Sequence, residues 1–232
     1  ELGPEDYNTY EFAPSRIILW VANQQHLYFG SFVLAVPIFC MIIEFIGIRT
    51  RDEDPVMSDK YDRLSKDLMK VSLTAYSWTA ILGGILLFTF ITLFPGFFKY
   101  MAGIFRPVMH VYALMFLAES GVLYVYYYGW DRMQEDRFLK WIHCSLSVLL
   151  NLIGTVLMYL ANSWATFMQA PGGIDSEGRF LGNIWHVIHS TLWNPVGVHR
   201  ILGNIVFGGG IVGANAAYHY LLSLIQITEP TR

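Results

Sequence analysis

Seven histidines fall on or beside five long apolar stretches of this chain. If each stretch crosses a bilayer once, His26, His110, His186, His189 and His199 lie toward one membrane face, and His143 and His219 toward the other. An imidazole inside a bilayer either pairs with a neighbouring helix or binds a metal, and haem held between helices is a recurrent reason for one. His26 is the strongest candidate. It follows Arg16 by ten residues, and about ten helical residues rise roughly 15 Å, deeper than a ring can sit and still reach water. Asn23, Gln24 and Gln25 beside it must face protein, cofactor or water. A structural histidine bonded to an adjacent helix is the plain alternative. His110 and His199 are candidate haem iron ligands alongside it, and Arg200 suits a haem propionate or another carboxylate. His186 and His189 are candidates to cap a haem or to share a metal with a further ligand, although surface helices often show their spacing of three. His143 and His219 read as interfacial, with a second site as the alternative.

One carboxylate stands out. Glu119 lies nine residues beyond His110, near mid-membrane. A buried acid there is either neutral or paired. Proton relay and a place beside a quinone are its functional readings, and pairing with Asn151 or Asn162 is the structural one. Glu44, near the end of the first stretch, reads as reaching the interface.

The elements that must position these groups are transmembrane helices. The chain is 54% hydrophobic and 14% charged, where a soluble domain carries about 25% charge. The apolar runs cover roughly 17–48, 71–98, 103–128, 141–168 and 199–227, and about 20 residues are enough to span a bilayer. The expected fold is therefore an all-α integral membrane protein with five transmembrane helices in a single membrane domain, the first four forming a four-helix bundle. A segment over 180–193, with Trp185 and Trp193, reads as an amphipathic interfacial element. Ser15 suits an N-cap of the first helix, Pro107 the first turn of the third, and Asn194-Pro195 the start of the fifth. Gly203, Gly208, Gly209, Gly210 and Gly213 strip side chains from that last helix, which suits either close helix packing or a flat macrocycle. The tyrosines at 124 and 126–128, with Trp130 and Trp141, read as an aromatic belt. Cys40 and Cys144 read as small hydrophobes. The net charge of −3 gives no reason to expect a nucleic-acid partner. The chain opens on Glu1, and no targeting segment is legible in it.

Orientation follows from the basic residues. Arg49, Arg51, Lys60, Arg63, Lys66, Lys70, Arg132, Arg137, Lys140 and Arg232 fall on one side, ten of the fifteen, and Arg16, Lys99, Arg106, Arg179 and Arg200 on the other. The positive-inside rule puts the ten in the cytoplasm, with the amino terminus outside and the carboxyl terminus inside. The expected location is a bacterial or archaeal cytoplasmic membrane.

Four ordered pieces resemble the amino-terminal half of the large subunit of cytochrome bd-type quinol oxidases. They are Ser15-Arg16 with His26 ten residues after the arginine; Leu117-Ala118-Glu119-Ser120 running into Gly129-Trp130-Asp131-Arg132; Ala161-Asn162-Ser163-Trp164; and Asn194-Pro195 with Arg200 five residues after the proline. The resemblance spans about 14–220. It implies that His26 ligates a haem at the oxygen-reducing site and that Glu119 lies on a proton path near it. It also marks departures. A second family glutamate falls at Val111, next to His110, and the family's low-spin haem histidine falls at Gly203, with His199 nearby. The family's other half, with its quinol-binding loop and its methionine and glutamate haem ligands, has no counterpart here, so a complete three-haem oxidase is not expected from this chain alone.

The expectation is a shortened, divergent relative carrying one or two b-type haems, with quinone as a further candidate ligand. A bis-histidine pair drawn from His26, His110 and His199 would favour electron transfer between membrane quinol and partner redox subunits, since no coordination position stays open. The alternatives are a subunit of a bd-like terminal oxidase whose partner supplies the missing ligands, a haem-free membrane anchor, and a transporter. In each of the first two the chain works within a larger assembly of membrane and redox subunits.

Overall fold

The computed structural model describes residues 7–228, with side chains to residue 222. Arg232, counted above for orientation, lies outside the described residues. The elements are α1 (Ser15–Thr50), α2 (Pro55–Leu93), α3 (Pro95–Tyr128), α4 (Trp130–Met133), α5 (Arg137–Gln169), α6 (Ile184–Ile188) and α7 (Trp193–Thr228). Among the described residues, five helices are long and apolar enough to cross a membrane: α1, α2, α3, α5 and α7. The protein is an all-α membrane protein.

Several helices run well past their apolar cores. Asp54 caps α2 through Met57 N at 2.9 Å, and Pro55 occupies its first turn, so the charged stretch 55–70 is helix rather than inner loop. Likewise α3 starts at Pro95, and Pro107 lies inside it. Hydropathy marks only the lipid-crossing part of a helix, whereas Asp-Pro and Phe-Pro junctions mark where the backbone begins to wind. Pro14 rather than Ser15 is the N-cap of α1; the Ser15 hydroxyl donates to the carbonyl of Asn8 and ties down the preceding segment. α7 begins at Trp193, which leaves Pro195 in its first turn, where a missing N–H is harmless. The expected interfacial helix is short, covering only Ile184–Ile188, with Asn183 capping Trp185 N at 3.0 Å. The glycines at 172, 173, 178 and 182 fold the stretch before it into turns, Gly173, Gly178 and Gly182 with positive φ, and the bridge Ile174–Phe180 closes them.

α1 packs along α2 through small residues. Ser58 Oγ donates to Gly47 O at 2.8 Å, and Ser65 Oγ to Cys40 O at 3.1 Å. Small side chains let two backbones approach, the usual basis of helix association in lipid. α1 also packs against α5 and α7, while α3 packs against α5 and α2. On the α1–α7 seam Phe207 meets Phe32 edge-on with centroids 5.2 Å apart, and Gly208 presses on Ala35. A Cβ at Gly208 would stand 2.8 Å from Ala35 Cβ, so this glycine serves close packing, and Gly209 lies against Phe39, whereas Gly203, Gly210 and Gly213 face open space. Gly208→Leu is expected to pry α7 from α1 at a cost of about 1–3 kcal/mol, read as a lowered midpoint of thermal unfolding in detergent. Gly210→Leu should leave that midpoint unchanged.

Candidate functional site

The fold places His26 in the α1–α2 seam, with its ring over Gly83. A Cβ at that glycine would lie 3.0 Å from His26 Cε1, so glycine is what lets the imidazole lie against α2. His26 Nδ1 lies 3.1 Å from the carbonyl oxygen of Thr79. A carbonyl only accepts, so Nδ1 carries the hydrogen and donates it. In the neutral imidazole the lone pair is then on Nε2, which has no hydrogen-bond partner among the described residues. Metal-ligating histidines typically show this arrangement: one nitrogen donates to a carbonyl and fixes the ring, and the other offers its lone pair. Arg200 on α7 lies within electrostatic reach of His26, and its guanidinium donates to Asn162 Oδ1 of α5. Asn162 is fully buried, and its amide nitrogen has no protein partner.

The other candidates are not gathered around His26. Parallel packing of α1 and α7, with Gly208 level with Ala35, sets His199 level with His26. Yet nine residues separate His199 from Gly208, and at about 100° per residue that puts them on opposite sides of α7. His199 is exposed and faces away from α1. His110 is exposed on α3, again nine residues and half a turn from the buried Glu119. His186 and His189 are exposed at the far end. His189 Nδ1 donates to Trp185 O at 3.0 Å, and its ring meets Trp193 edge-on at 4.3 Å, as an interfacial residue would. Gln24 and Gln25 are exposed on the flank of α1. Among the described residues no three His, Cys, Asp or Glu side chains converge on a metal-ion site. A bare ion needs such a cluster, whereas haem brings four nitrogens of its own and asks the protein for one or two ligands.

Glu119 is 5% exposed and faces Gly154 of α5, where a Cβ would lie 3.0 Å from Oε1. The structural pairing weighed for it does not form. Asn151 donates to Pro37 O at 3.2 Å and Ser147 O at 2.8 Å, and Asn162 is engaged by Arg200. Beside Glu119 on α3, Ser120 shares a short hydrogen bond with Tyr76 of α2.

A second polar cluster sits at the Lys/Arg-rich end of the helices. Glu44 of α1, expected near an interface, is 0% exposed, and so is His143 of α5. His143 Nδ1 pairs with Glu44 Oε1, and Nε2 donates to the backbone oxygen of Tyr126 at 2.8 Å. The Tyr126 hydroxyl donates to Glu44 Oε2 at 2.8 Å. The His143 ring stacks on Tyr126 at 4.2 Å and meets Trp130 edge-on at 4.5 Å. Tyr126 and Trp130 therefore leave the expected aromatic belt for the interior, while Tyr124 and Tyr128 stay exposed. With both nitrogens committed, His143 has no lone pair free for a metal. Next to this group, Lys140 of α5 pairs with Asp62 of α2, and Lys66 pairs with Asp131 at 2.5 Å. The period of α5 held the signal for the cluster. Lys140, His143, Cys144 and Ser147 recur at helical spacing on one face, and Glu44 interrupts an otherwise apolar run.

Fold and sites together define a polytopic helical membrane protein with imidazole, carboxylate and guanidinium groups held between its helices. The sequence matches the family described as cytochrome bd terminal oxidase subunit I over residues 15–230, and the chain belongs to that family. No individual curated protein matches it.

Proposed function

We propose that the chain is a haem b-carrying membrane subunit of a bd-type, quinol-oxidising respiratory assembly, with His26 as the iron ligand through Nε2. The observation that carries this reading is the Thr79 carbonyl, which accepts from Nδ1 and leaves Nε2 without a protein partner. Arg200, within electrostatic reach of His26, is placed to balance a propionate. Haem, when bound, supplies one-electron redox chemistry. Thr79 holds the ring, and Glu119 holds or passes a proton inside the helices.

The outward orientation of His110 and His199 favours one histidine ligand from this chain over an in-chain bis-histidine pair. This supports the oxidase reading over pure electron transfer to partner redox subunits, and it leaves His110, His199, Gln24 and Gln25 to meet further membrane subunits, quinone or lipid. Four helices, α1, α2, α3 and α5, form the bundle, with α7 against it, the amino terminus outside and the carboxyl terminus in the cytoplasm of a bacterial or archaeal cell.

A reduced-minus-oxidised spectrum of the purified chain, with haem counted per polypeptide, tests the reading. The expected result is a b-type spectrum that carbon monoxide alters. A low-spin spectrum indifferent to carbon monoxide would restore the bis-histidine electron-transfer reading. Absence of haem after gentle purification would leave a membrane anchor.

A further inference from the structure

The Glu44–His143 pair has proton chemistry of its own, independent of any haem. Its count of protons follows from geometry. Nε2 faces a backbone carbonyl and must carry a hydrogen. Between Nδ1 and Glu44 Oε1 a further proton is required: an ionised carboxylate accepts from Nδ1–H, and a bare Nδ1 accepts from a carboxylic acid. Either way the pair is neutral overall and holds one shared proton, and the Tyr126 hydroxyl donating to Oε2 favours the carboxylate, which places that proton on Nδ1. Burying such a pair is costly, and apolar side chains of similar volume would usually be as stable or more so.

Asp62 lies within electrostatic reach of Glu44, on the side of the pair that leads toward the surface. Lys140 is 2% exposed, and its partner Asp62 is 13% exposed, so the pair bridges interior and surface. Asp62 Oδ1, Arg51 Nη1 and both polar atoms of the Gln134 amide are buried with no protein partner. Buried polar atoms of this kind are normally satisfied by ordered water. Asp62 Oδ1 is also close to α1, since a Cβ at Gly47 would lie 3.1 Å from it, and Gly47 is three residues from Glu44.

We propose that Glu44 and His143 form a proton-holding site, supplied from water at the Lys/Arg-rich end beside Asp62. A proton arriving from water forms an O–H bond at Glu44 Oε2. The Tyr126 hydroxyl then turns from donating to that oxygen to accepting from it, and His143 keeps both N–H bonds. The pair passes from neutral to a single positive charge, and release of the same proton restores it. The titratable groups around it are Tyr126 on α3, Asp62 on α2, Lys140 and Cys144 on α5 and Cys40 on α1. Lys140 and Asp62 cancel one another, so no neighbour already compensates the added charge. Along α3 this site stands seven residues from Glu119, about 10 Å of helical rise, so the two acids are separate stations.

The whole chain in lipid nanodiscs provides the test, by infrared difference spectra across a pH titration and by nitrogen NMR of labelled histidine. In the unmodified protein one buried histidine is expected to show both ring nitrogens protonated at neutral pH. On acidification a carboxylic C=O band should appear that moves in heavy water. Glu44→Gln should abolish that band, and Asp62→Asn should slow its exchange. If Glu44→Gln fails to insert, Glu44→Asp serves, and the band should shift. A band that persists in Glu44→Gln, one that does not shift in Glu44→Asp, no such band in the unmodified protein, or a buried histidine with one bare nitrogen would each overturn the site. Exchange unchanged in Asp62→Asn would overturn the route to it.

Discussion

Replacing His26 with alanine is expected to remove one haem from each chain while the protein still inserts and keeps its helix content. The ring is only half-buried, and its single hydrogen bond runs to a backbone carbonyl, so the fold loses little, about 1 kcal/mol by the usual worth of such a bond. On the proposed reading, the iron would lose its nitrogen ligand. His26→Gly should recover haem when free imidazole is supplied, because the smaller side chain leaves room for the ligand. Gly83→Val should lower haem content with His26 intact, since a side chain there strikes the imidazole. Haem per chain from the pyridine haemochrome, with circular dichroism on the same sample, separates the outcomes. Full haem content in His26→Ala would end the assignment.

The largest effect on stability is expected at Glu44. Glu44→Ala removes the partner of His143 and the acceptor of the Tyr126 hydroxyl together, in a place with no solvent exposure. Breaking one side of a buried pair costs about 3–5 kcal/mol, because the group left behind stays buried without compensation. Glu44→Gln should cost much less, as its carbonyl still accepts a hydrogen bond. A cycle with His143→Leu should show strong coupling: once the imidazole is gone, Glu44→Ala should be far milder. Reversible unfolding in mixed detergent gives the values, and equal stability of Glu44→Ala and the parent would mean that the pair carries no weight.

The spans were legible because lipid imposes a long apolar run on any helix that crosses it: four of the five runs lie within single observed helices, and the run 71–98 alone overshoots, crossing the break at Phe94 between α2 and α3. The ends of α2 and α3 were not, because once outside lipid a helix obeys capping and proline geometry instead of hydropathy. His26 was legible because a polar ring about 15 Å along an apolar helix demands a reason. Glu44 and His143 were read as interfacial, since each lies near the end of its own run. Burial at that depth comes from α4 and the charged extensions of α2 and α5, which continue the bundle past the lipid boundary.

Composition and periodicity by themselves determine that this is a five-span helical membrane protein with an interior histidine, and the ordered motifs indicate its family. Which side chains meet is decided by helix rotation. A shift of nine residues turns His199 away from Gly208 and His110 away from Glu119, so residues equal in depth need not share a site. The Thr79 carbonyl that sets the tautomer of His26, and the Tyr126 carbonyl that commits the second nitrogen of His143, lie 53 and 17 residues away in sequence. Both are backbone groups available at any residue type, so no pattern of residues announces them; only the packing of one helix on another does.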